Sequence, residues 1–409
     1  MTDFDVAIVG GGLVGASLAC ALGGKGLRIA LIESVPLGAP SQPSYDDRSV
    51  ALAWGTRRIF DSMGLWASIA AQAEAITEIQ VSDRGHFGAV RLHAERFGVE
   101  ALGYVVEARV LGRVFTDALP KVEGLEVICP ASLSSSRTED DAVHLSIEFA
   151  GGTRELSTRL LIGADGADSM VRRHGGIESS RVDYGQTAVI ANVTPELAHR
   201  GRAFERFTYS GPLALLPLKD YGQGERCALV WTVRSQQRDD ILALSDEKFL
   251  SALQARFGNR LGRMLRVGAR SAYPLALLRA ERYTAERLAL IGNAAHTLHP
   301  VAGQGFNLGL RDAATLVELI VTAHYNSDDP GAASLLARYE AWRREDQHRA
   351  ITLTDGLIRI FSSDFAPLVV VRNVGLVALD LIPALKSVLA RQTMGIAGRL
   401  PRLARGLPL

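Results

Sequence analysis

A glycine turn wedged between a strand and a helix constrains this chain more than any other feature. Residues 5–9 (Asp-Val-Ala-Ile-Val) read as a buried strand, Gly10-x-Gly12-x-x-Gly15 as the turn, residues 13–23 as a helix of small side chains, and residues 29–32 (Ile-Ala-Leu-Ile) as a second strand. Together they make a complete βαβ unit within about 30 residues. Gly10 permits the tight turn, Gly12 lets a pyrophosphate approach the backbone at a helix N-terminus, and Gly15 lets helix and strand pack closely. Glu33 stands 18 residues beyond Gly15, where a carboxylate accepts hydrogen bonds from the ribose of an adenosine. The strand, the helix and the acid together point to a dinucleotide site rather than a plain βα turn.

A chain of 409 residues predicts two or three structural units around a large shared core. Lys and Arg total 45 against 44 for Asp and Glu, so no global field attracts nucleic acid. Cys20, Cys129 and Cys227 lie far apart with no CxxC pair, which argues against a disulfide framework and a thiolate metal site and for a reducing compartment. Residues 1–5 carry two acids and no basic segment, and the strand follows at once, which predicts retention in the cytoplasm. Hydrophobic residues reach 47%, but Arg372 and Asp380 interrupt the best candidate span at 368–389.

Two further glycine motifs follow apparent strands. Residues 144–149 alternate before Gly151-Gly152 as in a hairpin, and the buried run 159–162 leads into Gly163-Ala164-Asp165-Gly166-Ala167-Asp168-Ser169. From 182 to about 273 the pattern changes to short alternating strands, notably 188–193, 203–207, 213–218 and 227–233, which reads as a mostly antiparallel sheet. The buried pattern resumes at 288–291. It runs into Gly292-Asn293, then His296, His299, Pro300, Val301, Ala302 and Gly303-Gln304-Gly305-Phe306-Asn307, and a helix continuing past Val317. A strand end, a glycine pair and a helix start in this order present backbone N–H groups to an electron-rich ligand edge. From about 334 onward the texture is helical.

The three motifs in this order resemble the flavoprotein aromatic monooxygenases of the para-hydroxybenzoate hydroxylase fold. Within them the chain resembles the ubiquinone-biosynthesis hydroxylases, through Asp47-Arg48-Ser49-Val50-Ala51-Leu52, Gly103-Tyr104-Val105-Val106-Glu107, Gly211-Pro212-Leu213-Ala214-Leu215-Leu216-Pro217 and the 292–312 block. The likeness runs over nearly the whole chain, to Arg399-Leu400-Pro401-Arg402. It implies an α/β fold: a Rossmann-like FAD-binding domain (1–75, 101–181 and 276–330), an inserted, mostly antiparallel substrate domain (76–100 and 182–275) and a helical C-terminal region (331–409).

The resemblance also implies residue roles. Gly10, Gly12, Gly15 and Glu33 hold the adenosine half of FAD, and Arg48 reaches the flavin or its pyrophosphate, with Arg109 a further candidate. Asp165 and Gly166 match a motif tied to the flavin and to the transient docking of NAD(P)H. Pro300, Gly303, Gln304, Gly305 and Asn307 match the segment beside the isoalloxazine ring. The wider fold carries Gly-Asp where this chain has Gly292-Asn293; the Asn amide still hydrogen-bonds a ribityl hydroxyl while removing a charge. That Asn, with Gly305-Phe306-Asn307, matches the 2-polyprenyl-6-methoxyphenol branch.

The implied reaction is hydroxylation of a polyprenylated phenol by molecular oxygen through a flavin C4a-hydroperoxide, with NAD(P)H as reductant and neither a triad nor a metal. The site must exclude water and hold the ring, with Pro300 and Gln304 beside it. His296 and His299 are acid/base candidates or packed loop residues, the latter reading being favoured. Tyr209, Trp231 and Phe207 are ring-pocket candidates or simply core. Residues 361–389 are rich in Leu and Val, and Lys386, Arg391, Arg399, Arg402 and Arg405 follow Asp380 without an acid. This suits either peripheral docking on an anionic membrane or docking onto the FAD domain or another biosynthetic subunit. A flavin-dependent lipid reductase or oxidase, a flavin-binding scaffold and a hydroxylase acting at a sister ring position remain alternatives.

Overall fold

The computed structural model describes residues 2–39, 48–222, 224–300, 303–361 and 365–409, so Asp47, Val301 and Ala302 of the motifs lie outside the described residues. Strand Phe4–Val9 is apolar on both faces and nearly all buried, as a central parallel strand must be. It pairs in parallel with Ile29–Ile32 on one side and Gly152–Gly163 on the other, and Leu288–Leu290 extends the sheet in the same sense. Val9 stands opposite Gly163, and Gly163 opposite Leu290. Three glycine motifs far apart in the chain therefore leave from one line of carboxyl strand ends, the place where open parallel sheets bind ligands.

Gly152–Gly163 is a single strand of 12 residues, where the sequence suggests a hairpin arm and then a separate strand. Its first half pairs antiparallel with Ala142–Phe149 and its second half enters the parallel sheet.

The second sheet runs in the order His296–Thr297, Ser271–Ala280, Ser179–Pro195, Arg226–Arg234, Gly211–Leu218, Arg202–Thr208, Glu78–Asp83, Ala89–His93. Its pairs are antiparallel except Arg202–Thr208 with Glu78–Asp83, which brings the 78–93 segment onto this sheet. The strand Ser179–Pro195 runs unbroken through residue 182, and His296–Thr297 pairs with Leu278 and Arg279, so the third glycine motif is stitched to this sheet as well. One face packs on helix Asp246–Phe257 through Leu213, Leu215, Leu229, Trp231, Phe249 and Phe257. The alternate residues look the other way, toward a cavity.

Helix Gln304–Tyr325 crosses helix Leu13–Leu22 so tightly that a Cβ on Gly309 would lie 3.0 Å from Gly292 Cα and from Val14 Cγ2. Three helices follow, Ala333–Phe361, Ala366–Leu381 and Pro383–Thr393. The segment after them folds back onto the first domain: Ser62 Oγ donates to Leu403 O, Arg58 to Arg405 O, and Trp342 Nε1 to Arg399 O. Three of the five residues of the C-terminal basic run have side-chain partners within the C-terminal region. Arg399 stacks 3.7 Å above Trp342, Arg402 Nε donates to Pro408 O, and Lys386 is buried 2.8 Å from Asp380. The docking expectation thus describes residues 399–409, while helices Ala366–Leu381 and Pro383–Thr393 keep an apolar outer face.

Candidate functional site

The glycine turn is built to backbone tolerance. Gly10 has φ +103°, and a Cβ there would lie 2.5 Å from Ala164 O; one on Gly15 would strike Gly10 O at 1.9 Å. The first and second motifs are thus pressed together, with Gly12 as the extended N-cap of helix Leu13–Leu22. The buried Glu33 carboxylate lies on the same turn, accepting from Gly11 N at 2.5 Å and Val35 N at 2.7 Å. Where a ligand must lie, space opens: a Cβ on Gly166 or Gly305 would meet nothing within 4 Å. Asp165 caps helix Met170–His174 with Oδ2, while its buried Oδ1 has no partner among the described residues. A tight glycine cradle, a buried carboxylate and a spare buried acceptor fit the hydroxyls and pyrophosphate of FAD.

The other predicted cofactor residues divide. Gly303, at φ +59°, is the left-handed N-cap of helix Gln304–Tyr325, whose first amides are left without helical acceptors, and the same helix packs against Gly292 through Gly309. Asn293 is exposed there, and Gln304 is buried in the first turn. Asn307 is not a ligand by its side chain. Its Oδ1 accepts from Ala53 N (2.8 Å) and Thr56 Oγ1 (2.7 Å), and its Nδ2 donates to Ala51 O (2.8 Å) and Gly303 O (2.6 Å), which uses its full capacity. It is a positioning residue that ties the helix start to strand Ser49–Ala53. Arg48 lies over the Tyr273 ring of the second sheet, 4.9 Å from its centroid. Arg109 is engaged by the buried Glu107, which also receives Arg226 at 2.9 Å.

His296 is placed away from acid/base work. Its Nε2 lies 2.7 Å from Asp312 Oδ2, both fully buried, and Asp312 also receives Arg343 Nε (2.7 Å), Gln347 Nε2 (2.9 Å) and Gly292 N (3.2 Å). Burial opposes ionisation of Asp312, but the pull of His296 and then of Arg343 holds it well below the usual carboxylate range. The network locks the Gly292 turn to helix Ala333–Phe361, whose Tyr339 hydroxyl donates to Leu290 O at 2.9 Å. Sequence reasoning missed Asp312 as a site residue, although a charged Arg311-Asp312 pair inside a small-residue helix was a visible signal. Burial pushes His299 down to about 4, so it stays neutral, edge-on to Tyr184 at 5.5 Å. Burial also pushes the Cys20 and Cys227 thiols up to about 12, which removes them as nucleophiles.

Pro300, Gly303 and Asn307 form one end of a cavity of about 770 Å³. Its walls come from the second sheet (Phe207, Ala214, Leu216, Val230, Thr232) and from the C-terminal helices (Phe361, Leu376, Leu389). Phe207 lines it, stacked on Phe361 with centroids 3.7 Å apart. The other two pocket expectations are corrected. Trp231 is fully buried on the opposite face of the sheet against Phe249, because strand alternation sends its neighbours Val230 and Thr232 to the cavity. Tyr209 is half exposed beyond the strand end, under Arg256, whose Nη2 donates to its hydroxyl at 2.6 Å.

Residues 3–354 match the model of a family described as an FAD binding domain. The chain is 41% identical over 409 residues to ubiquinone hydroxylase UbiL of Rhodospirillum rubrum, covering 99% of this chain and 93% of that protein. It is 32% identical to the human ubiquinone biosynthesis monooxygenase COQ6 (94% and 91% covered) and 31% identical to the 3-demethoxyubiquinol 3-hydroxylase of Escherichia coli (96% and 98%). Among solved structures, p-nitrophenol 4-monooxygenase PnpA of Pseudomonas putida superposes with a TM-score of 0.77 at 19% identity, covering 97% of this chain and 98% of that one, a likeness of fold.

Proposed function

Because the chain belongs to the FAD-binding-domain family, together with the ubiquinone-biosynthesis hydroxylases, we propose that it hydroxylates the ring of a polyprenylated phenol in ubiquinone biosynthesis, with 2-polyprenyl-6-methoxyphenol as the substrate. It is an FAD- and NAD(P)H-dependent monooxygenase. FAD, when bound, supplies the electrons taken from NAD(P)H and the activation of molecular oxygen. The protein's own work is placement and exclusion of water.

The observation that carries the substrate reading is the continuity of one apolar cavity from the helix start at Pro300 and Gly303 to the C-terminal helices. The first turn of helix Gln304–Tyr325 offers positive potential for negative charge on a bound reduced ring system. Asn307 and the Asp312 network hold that turn in place. Phe207 and Phe361 offer flat apolar surface in the same cavity, whose apolar lining and volume of about 770 Å³ suit a prenyl tail. Methoxyl and hydroxyl groups already activate such a ring, so no strong base is needed. On the same reading, residues 1–75, 101–181 and 276–330 form the FAD domain and 76–100 with 182–275 the substrate domain, which agrees with the membership of the two large sheets apart from His296–Thr297 and the ends of strands Ser179–Pro195 and Ser271–Ala280. Asn293 with Gly305-Phe306-Asn307 supports the ring position.

The test is deletion of the gene in its host, growth in air, and the mass of the accumulated quinone precursor. A 2-polyprenyl-6-methoxyphenol is expected. A differently substituted ring would move the position and keep the class, whereas unchanged quinone without a precursor would end the pathway assignment.

A further inference from the structure

Strand Arg202–Thr208 carries different chemistry on its two faces. Ala203, Glu205 and Phe207 line the cavity, whereas Phe204 meets helix Asp246–Phe257 on the other side, its ring edge-on to Phe257 at 5.3 Å. Arg206 stands two residues beyond Phe204 and so shares that side. A guanidinium taken partly out of water needs acceptors. Arg206 is half-buried, its Nε is buried, and no hydrogen bond or ion pair reaches it from the described residues.

Two more arginines close round it. Arg84 donates from Nη2 to Ala255 O, in the last turn of the helix, at 3.1 Å. Arg260 donates from Nη1 to the hydroxyl of buried Ser82 at 3.2 Å, and Ser82 is the register partner of Arg206. None of the three meets a carboxylate among the described residues. Asp83, opposite Phe207 on the cavity side of the sheet, is held by Arg372 and Asn373. Burial, then Arg260 and Arg84, pulls Arg206 below the ordinary guanidinium range, and burial, then Arg91, does the same to Arg260, so these charges oppose one another.

The partial negative charge of a helix C-terminus accounts for Arg84, whose bond to Ala255 O is that contact. It does not account for Arg206. Beside Arg206 the helix is capped by Gly258 at φ +86°, where an added Cβ would have Arg206 Nη1, 3.9 Å away, as its sole neighbour within 4 Å. The guanidinium therefore borders open space at the helix end.

We propose that Arg84, Arg206 and Arg260 form a binding site for a phosphate group, borne by a small soluble molecule or free in solution. Three cations without an acid call for more than one negative charge, which a phosphate supplies and a single carboxylate does not. The half-buried Arg206 favours a small protruding anion over a broad acidic surface. The site lies on the face of the sheet turned from the cavity and rests on no part of the substrate reading.

The FAD-loaded full chain is dialysed against labelled inorganic phosphate, with ionic strength held constant by chloride. One saturable site per chain is expected, and phosphate should raise the thermal unfolding midpoint. Arg206→Gln should weaken binding about tenfold or more and remove most of that rise, with FAD content unchanged. Arg260→Gln, at an exposed position, should weaken binding about fivefold and serves as the test if Arg206→Gln does not fold. Arg137→Gln, which removes an exposed arginine paired with Glu139, should bind as the wild type does. Glycerol 3-phosphate and adenosine monophosphate are compared with inorganic phosphate: tighter binding of an ester assigns an organic phosphate, and equal binding assigns phosphate itself. Absence of saturable binding, or binding that Arg206→Gln and Arg260→Gln leave unchanged, would overturn the proposal. So would binding of hexaglutamate that none of the three phosphates displaces, since the occupant would then be an acidic protein segment.

Discussion

The two ends of the site are built from different materials. The cofactor end is backbone against backbone: Gly10 against Ala164 and Gly15 against Gly10, at distances where one added carbon collides, and Gly309 against Gly292, where one would be tight. The substrate end is side chain against side chain, with Phe207, Val230, Phe361 and Leu389 drawn from separate elements and replaceable by other apolar groups of similar volume. The first end tolerates almost no chemistry but glycine, and the second tolerates much, so the two should answer mutation differently.

The sharpest break of that contrast is Gly10→Ala, which adds a Cβ 2.5 Å from a carbonyl oxygen at φ +103°. It should give protein without flavin, read as loss of the flavin absorbance after gel filtration; an FAD-replete variant would contradict the rigid cradle. Next comes Asp312→Asn, which leaves buried Arg343 with Asp346 as its remaining anion and frees the Gly292 turn. We expect a loss of about 3 kcal/mol in urea unfolding together with weakened FAD retention, whereas His296→Ala with FAD still bound should cost less than about a hundredfold in turnover.

An effect of similar size, confined to acid pH, concerns His299. His299 sits near 4 when folded and near 6.5 when unfolded, so below 6.5 the unfolded chain binds the extra proton. Its contribution is complete above pH 6.5 and is lost as pH falls toward 4, about 3 kcal/mol in all. His299→Gln should flatten that limb of the urea midpoint against pH; an unchanged limb would show that other groups carry it. Least of all, Phe207→Leu should lower kcat/KM about tenfold, chiefly through KM, while Tyr209→Phe should change it less than about twofold. A larger effect at Tyr209 would mean that the ring pocket extends past the strand end.

Legibility followed the same divide. The glycine motifs and Glu33 could be read because each answers a local geometric demand, and the βαβ unit around them is sequential. Phe207 and Trp231 could not be told apart, because strand Arg226–Arg234 and its neighbours are apolar on both faces and their pattern has no marked parity. Asn307 was found as a site residue but with the wrong task, since three of its four hydrogen bonds reach Ala51, Ala53 and Thr56, some 250 residues away.

The pairing of Val9 with Gly163 and of Gly163 with Leu290 also dictates an order of synthesis. At about 5–20 residues per second, the first strand leaves the ribosome on the order of ten seconds or more before its last neighbour. Until then a segment apolar on both faces has only Ile29–Ile32 beside it. The turn at Gly303 that completes the cradle is made later still, after the whole second sheet. A nascent chain therefore completes the flavin cradle only after both large sheets have been synthesised.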